Sequence, residues 1–145
     1  MLTYEFAAGL QGLPQARAIR QAVFVGEQGF CHEFDRTDET AVEVLVREDG
    51  APVATGRTFP QGGCWMIGRV AVVREARGRG LGAAVVRALE NEAKRRGARR
   101  LALHAQVRVR GFYEALGYRA GGPAFLDESC PHVRMTKGVS NAQPD

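Results

Sequence analysis

The sequence predicts an α/β domain: a single mixed, partly antiparallel sheet flanked by helices. Three observations predict it. Apolar segments of strand length recur from Leu2 to Thr136. Two longer segments, 14–26 and 81–96, place apolar residues at helical spacing. The order of these patterns is a strand, a helix, a meander and then β-α-β-α-β-β, which is neither a pure hairpin series nor a pure βα alternation.

Residues 2–6 alternate and read as a first strand. Pro14 opens a helical pattern, with Ala18, Ile19, Ala22 and Val23 on one face, that should end near Gly26. An acidic loop or short helix containing Phe30 and Phe34 follows. Residues 41–47 put Val42, Val44 and Val46 on one face, Asp49-Gly50 makes a turn, and 52–59 returns as the second arm of a hairpin. Residues 65–73 form a largely apolar run, as a doubly covered central strand would. Residues 81–96 form a helix with Leu81, Ala84, Val85, Ala88 and Leu89 on one stripe. Lys94, Arg95 and Arg96 complement its C-terminal dipole, and Gly97 ends it. Residues 101–105 are a short strand and 109–116 a short helix ended by Gly117. Residues 118–120 and 132–136 are the last strands. The domain runs over 1–137, and the polar residues 138–145 read as a loose tail.

The composition is that of an ordinary globular chain, with 145 residues, 45% hydrophobic and 25% charged. No apolar run reaches the ~20 residues of a membrane helix, and residues 1–6 lack a secretory signal's basic start and apolar core. A cytoplasmic chain without a membrane partner is expected. Three widely spaced cysteines, Cys31, Cys64 and Cys130, give neither a disulfide framework nor the four ligands of a structural zinc site, so no metal is expected. Charge is unevenly spread. Residues 69–100 hold ten basic residues and three acids, a balance of +7, and residues 27–49 hold eight acids and two arginines, a balance of −6. The first suits an anion and the second a cation, with solvated faces as the plain alternative.

The segment 69–82, Arg-Val-Ala-Val-Val-Arg-Glu-Ala-Arg-Gly-Arg-Gly-Leu-Gly, runs from a buried strand into a loop with Gly78, Gly80 and Gly82 at alternate positions, and that loop opens onto the long helix. Free N–H groups at a helix start bind anions, glycines let the backbone close on a diphosphate, and Arg77 and Arg79 add charge. A triphosphate P-loop would need Gly-Lys-Ser/Thr, which is absent. Gly78, Gly80 and Ala83 satisfy a dinucleotide G-x-G-x-x-A, but from Ala93 to Tyr113 there is no acid to hold a ribose.

The pattern Arg77-x-x-Gly80-x-Gly82 after an apolar strand resembles the coenzyme A loop of the GCN5-related N-acetyltransferases (GNAT). Phe112-Tyr113-Glu114-Ala115-Leu116-Gly117-Tyr118 is similar to that family's later helix-and-turn motif. Residues 19–28, 68–73, 103–106 and 131–135 look like the small bacterial YjcF- or ElaA-like subgroup, so the resemblance spans roughly 15–137. It implies acetyl-coenzyme A as donor cosubstrate and a primary amine, small molecule or lysine-like, as acceptor. It implies that Val70, Ala71 and Val72 offer backbone groups to the pantetheine arm, with the Val72 N–H near the thioester oxygen. The loop Arg77, Gly78, Arg79, Gly80, Leu81, Gly82 holds the diphosphate, Gln106 and Phe112 contact the cofactor, and Tyr113 lies near the sulfur as general acid. One departure is Gln106, seven residues before Tyr113, where the family often has Asn. A homodimer is a family habit.

An alkyl amine near pKa 10.4 must lose a proton to attack. Glu27 and His132 are the candidates for orienting or deprotonating it. His104 reads as a structural histidine, Cys31 and Cys64 as buried thiols, Tyr118 as packing, and Trp65 and Phe30 as core or pocket wall. The acidic 27–49 segment hints at a cationic acceptor such as a polyamine or amino sugar. Two other functions compete: a non-catalytic acyl-coenzyme A sensor, which Tyr113 argues against, and a nucleic-acid module suggested by the 94–100 basic run, which lacks interleaved aromatics. No nucleic-acid partner is therefore expected.

Overall fold

A computed structural model describes residues 1–139. Seven strands form one sheet: β1 (Leu2–Ala8), β2 (Val42–Glu48), β3 (Ala51–Gln61), β4 (Cys64–Val72), β5 (Arg100–Gln106), β6 (Arg119–Asp127) and β7 (Cys130–Gly138). Their order is β1-β2-β3-β4-β5-β7-β6. Every neighbouring pair is antiparallel except β4 and β5, which run parallel and pair only at Trp65–Leu101 and Met66–Ala102 before parting. The expected mixed sheet is present, and its one parallel seam opens toward the C-terminal ends of both strands, the usual place for a ligand in an α/β sheet.

Helices cover both faces. On one, α2 (Leu81–Arg95) buries Leu81, Val85, Val86, Leu89 and Ala93 against β3 and β4. The approach is so close that a Cβ at Gly56 would stand 2.7 Å from Val85 Cγ1 and 2.8 Å from Leu89 Cδ1. On the other, α1 (Pro14–Arg20) packs Ala16 and Ile19 against a second cluster that includes Leu45 and Ala71. The third helix, α3 (Arg110–Ala115), follows a 3₁₀ turn (Val107–Val109) at the C-terminal end of β5.

Three sequence expectations are corrected. The 14–26 helix is α-helical only to Arg20. From Gln21 to Glu27 it widens into a π-helix, with Gln28 N–H bonding Val23 O across five residues. Residues 118–120 and 132–136 are fragments of a longer hairpin. Gly121 and Gly122 look like a strand end, but β6 absorbs them in a bulge between Gly121 and Phe125, with Gly122 at φ 79°, and continues to Asp127. Gly138 belongs to β7 rather than to a tail, and Val139 N–H bonds Arg99 O. The remainder of the expected tail, 140–145, lies outside the described residues.

Candidate active site

The parting of β4 from β5 is built into β4 itself. Gly68 pairs with Arg57 and Ala71 with Thr55, so Arg69 and Val70 together oppose Gly56 alone. This is a β-bulge, and Arg69 takes the left-handed φ of 53°. Its guanidinium is tethered: Nε donates to Glu33 O at 3.1 Å and lies 3.2 Å from Glu33 Oε2, while Nη2 reaches Asp35 Oδ2 at 3.4 Å. A side chain held this firmly can maintain a backbone angle that is costly for a non-glycine residue.

Beyond the bulge, Val73 N–H donates to Val53 O at 2.9 Å. Successive residues of a strand turn their N–H and C=O groups to opposite edges. The Val72 N–H therefore points away from β3, toward the gap, and the Val72 carbonyl on that same edge accepts a bond from Arg77 Nε at 3.0 Å.

Within the gap is a cavity of about 620 Å³ bounded by β4, β5, the π-helix, α3 and the β6–β7 turn. Of the residues singled out in the sequence, Val70, Gly82, Gln106, Phe112, Tyr113 and His132 line it. Ala71 stays in the sheet, paired with Thr55. Gly78, Gly80 and Leu81 form the approach to α2, and both glycines adopt left-handed φ, 81° and 78°, facing open space. Gly80 caps α2 without a side-chain hydrogen bond, no acid occupies the first turn, and the first helical bond runs from Ala84 N–H to Gly80 O. The N–H groups of Leu81, Gly82 and Ala83 are thus left for an anion. A diphosphate fits this uncapped turn, and an extended thioester arm fits the open seam. Phe112 packs over the turn: a Cβ on Gly82 would lie 3.3 Å from its ring.

Tyr113 stands edge-on to Phe112 (4.9 Å between centroids) and Tyr118 (6.0 Å). Burial raises its hydroxyl to about 12, so it remains a proton donor across the neutral range. His132 is 7% exposed, and its Nδ1 is 2.8 Å from Cys130 O. A carbonyl only accepts, so Nδ1 carries the proton and Nε2 is the basic nitrogen. Phe125 stacks on this ring at 5.9 Å. Gln106 Nε2 donates to Gln28 Oε1 at 2.8 Å and its Oε1 accepts from Arg108 Nε, which joins β5 to the end of the π-helix.

Several expectations change. Glu27 lies outside the cavity, with Oε1 2.8 Å from Arg77 Nη2 and 3.8 Å from Arg74. Arg79 likewise pairs with Glu48 at 2.8 Å. His104 is solvent-exposed on the cavity wall rather than buried. Partial desolvation of its ring, which meets Phe125 edge-on at 5.1 Å, together with the charge of Arg134, holds its pKa below the ordinary value. Cys31 is exposed, not buried.

The largest correction concerns the acidic segment. Arg20, wholly buried, bonds Glu33 Oε2 (2.8 Å) and Asp38 (2.6 and 3.1 Å), and Arg57 bonds Asp35 and Asp38 at 2.8 Å. With Arg69 these make a three-arginine network that consumes the acids expected to face a cation. Burial works to raise Asp38, but the Arg20 hydrogen bond and the neighbouring charges prevail and hold it at about 2. Glu43 goes the other way. It is fully buried, neither oxygen has a hydrogen-bond partner among the described residues, and burial pushes its carboxyl up to about 8 despite Arg20 at 3.7 Å. The sequence could not reveal Arg57 and Arg69 as wall residues, because their partners come from residues 33–38.

Against known proteins, the model of the acetyltransferase (GNAT) family matches residues 13–118. The chain is 35% identical to the uncharacterized protein YyaT of Bacillus subtilis strain 168 over 133 residues, covering 88% of this chain and 90% of YyaT. It is 33% identical to the uncharacterized N-acetyltransferase YjcF of the same strain over 128 residues, 86% and 91% of the two chains. Among solved structures, an acyl-CoA N-acyltransferase of Pseudomonas aeruginosa superposes with a TM-score of 0.85 at 26% identity, over 95% of this chain and 100% of that one. No described helix is long and apolar enough to cross a membrane, and no described cluster of His, Cys, Asp and Glu could hold a metal ion. The bulged strand, the uncapped helix start and these likenesses coincide in one stretch of chain: this protein belongs to the acetyltransferase (GNAT) family.

Proposed function

We propose that the chain transfers the acetyl group of acetyl-coenzyme A directly to a primary amine, with Val72, Tyr113 and His132 as the working groups. One observation carries this reading: the half-buried Tyr113 phenol and the oriented His132 imidazole line one cavity in the gap between β4 and β5, and the Val72 N–H, just beyond its lining, faces the same gap. The 77–82 loop and the first turn of α2 take the diphosphate, Val70 takes a pantetheine amide, and Gln106 and Phe112 flank the arm.

The acceptor arrives as an ammonium ion, and His132 Nε2 removes its proton. The amine nitrogen then forms a bond to the acetyl carbon, and the carbonyl oxygen, gaining charge, meets the fixed Val72 N–H. The C–S bond breaks as Tyr113 O–H gives its proton to the departing sulfur. The tyrosinate recovers a proton from solvent, and imidazolium returns one to it. No covalent enzyme intermediate is needed, because both reactants are held in one cavity. The three free cysteines suit a cytoplasmic setting.

The test is thiol release from acetyl-coenzyme A across an amine panel. Amine-dependent release is expected, with loss of most turnover in Tyr113→Phe and His132→Gln. Tight coenzyme A binding without release on any amine would favour the sensor, and failure to bind coenzyme A would overturn the reading.

A further inference from the structure

We infer that the acceptor is a primary monoamine borne on an aromatic ring, an arylalkylamine whose ring lies against Phe30 and His132; this rests on the amine-acetylating function proposed above. Two independent features of the cavity lead there: the state of its charges and the nature of its wall.

Most of the acids are already engaged, two by arginines and one by backbone amides. Glu33 and Asp35 border the cavity, yet Glu33 is held by Arg20 and Arg69 and Asp35 by Arg57 and Arg69. Glu128 accepts the N–H groups of Cys31 (2.6 Å) and His32 (2.8 Å), which fastens the loop after the π-helix to the β6–β7 turn. Of the carboxylates bordering the cavity, Asp127 alone makes no ion pair or hydrogen bond among the described residues. A polyamine gains most from an unengaged carboxylate for each further ammonium, and Asp127 is the one such side chain bordering the cavity among the described residues.

The wall is made of rings. Phe24 and Phe30 meet edge to face with centroids 6.4 Å apart and planes at 71°. Phe30 meets His132 in the same way at 6.5 Å and 64°. All three line the cavity. Phe125 supports His132 by stacking at 24° between planes. Aromatic rings prefer such edge-to-face and offset contacts with a further ring, an advantage that an alkyl chain of equal area lacks. A ring placed there sets an amine on a short linker beside His132 Nε2, the basic nitrogen, with Asp127 as the open counter-charge.

The experiment is calorimetric titration of 2-phenylethylamine, n-hexylamine and spermidine into the full chain saturated with coenzyme A, where no turnover occurs. The expected result is 2-phenylethylamine binding about tenfold more tightly than either other amine, roughly the advantage of one aromatic pair. Phe30→Ala should abolish that preference, weakening 2-phenylethylamine more than n-hexylamine. Phe30→Leu, which keeps apolar volume and the fold, should do the same. Spermidine binding as tightly as the aromatic amine, no amine binding, or Phe30 variants that weaken all three amines equally would each overturn the inference. Failure of the wild type to bind coenzyme A is read separately and strikes the functional reading. The ranking of the amines on the free chain still decides this one.

Discussion

The two halves of the cavity are built in different ways. The donor half, along residues 69–82 and 106–113, works through the backbone: a bulge, an outward strand N–H, two left-handed glycines and an uncapped helix turn. The acceptor half works through side chains from distant segments, such as Arg20 with Asp38, Arg57 with Asp35, and the Cys31 amide with Glu128, 97 residues away. Backbone devices need only small residues at fixed spacing, so they are written locally and tolerate change around them. Side-chain networks need every partner at once. On the function proposed here, the donor would lie against generic parts and the acceptor against particular ones, and each half should fail in its own manner.

The largest effect should come from breaking the acceptor half's network. Arg20→Leu removes one of the two arginines that hold each of the buried Glu33 and Asp38, which costs about 3 kcal/mol of stability. Urea denaturation should show this as a lower midpoint. Coenzyme A binding by the fraction still folded should fall less than stability does, because Arg20 reaches the donor side only through Glu33, which it shares with Arg69. A loss of coenzyme A binding as large as the loss of stability would mean that the halves are one unit.

Next comes the chemistry at the boundary. Tyr113→Phe keeps the ring contacts with Phe112 and Tyr118 and removes only the proton donor. The turnover number should fall on the order of a hundredfold, with coenzyme A affinity unchanged within about twofold. In the wild type, activity should fall at high pH as the hydroxyl titrates toward 12, and Tyr113→Phe should lose that alkaline limb. An equal fall in affinity and turnover would make Tyr113 a packing residue.

The legibility of the two halves in the sequence follows the same division. The glycines at 78, 80 and 82, the apolar run into them and the Phe112-Tyr113 pair stand at fixed short spacings, and the structure places Gly82, Phe112 and Tyr113 around one cavity. The mixed sheet was legible for the same reason, since strand and helix periods are local. The bulge at Arg69 was not, because nothing in the run Gly68-Arg69-Val70 distinguishes a bulge from a regular strand. The −6 balance of residues 27–49 was visible, but its meaning was not. It suggested an open site for a cation, whereas Arg20, Arg57 and Arg69, which lie outside that segment, neutralise it from within. The π-helix escaped because its apolar spacing still fits an ordinary helix as far as Val23.

A smaller effect isolates Glu43 within the network. Its carboxyl takes up a proton in the folded chain up to about pH 8, while in the unfolded chain it ionises near 4.5. The folded state therefore binds more protons between those values, and stability should decline as pH rises through that window. Glu43→Gln, isosteric with the protonated form, should flatten the decline and melt higher than the wild type at pH 8. Asp38 acts in the opposite sense at the acid end: its stabilisation is present above the ordinary carboxylate range and lost as pH falls toward 2. Thermal melts from pH 3 to 9 would resolve both limbs, and an unchanged alkaline slope in Glu43→Gln would show that Glu43 ionises normally.

The smallest effect is the most discriminating, because its sign decides how the donor half uses Arg77. That guanidinium lies between Glu27 Oε1 at 2.8 Å and the Val72 carbonyl at 3.0 Å, so it ties the π-helix to the strand that precedes the loop. If Arg77 held the diphosphate itself, Glu27→Gln would free it and coenzyme A would bind as well or better. If it braces the loop, the same change loosens the turn that presents the α2 N–H groups, and coenzyme A binds less well. The geometry favours the brace, since both ends of the guanidinium already have protein partners. The expected result is a roughly threefold weaker affinity in Glu27→Gln, in keeping with a partly exposed ion pair. A similar loss is expected in Arg77→Gln, with no further loss in the double variant. Calorimetry of the four proteins at one salt concentration measures it, and tighter binding by Glu27→Gln would return Arg77 to the diphosphate.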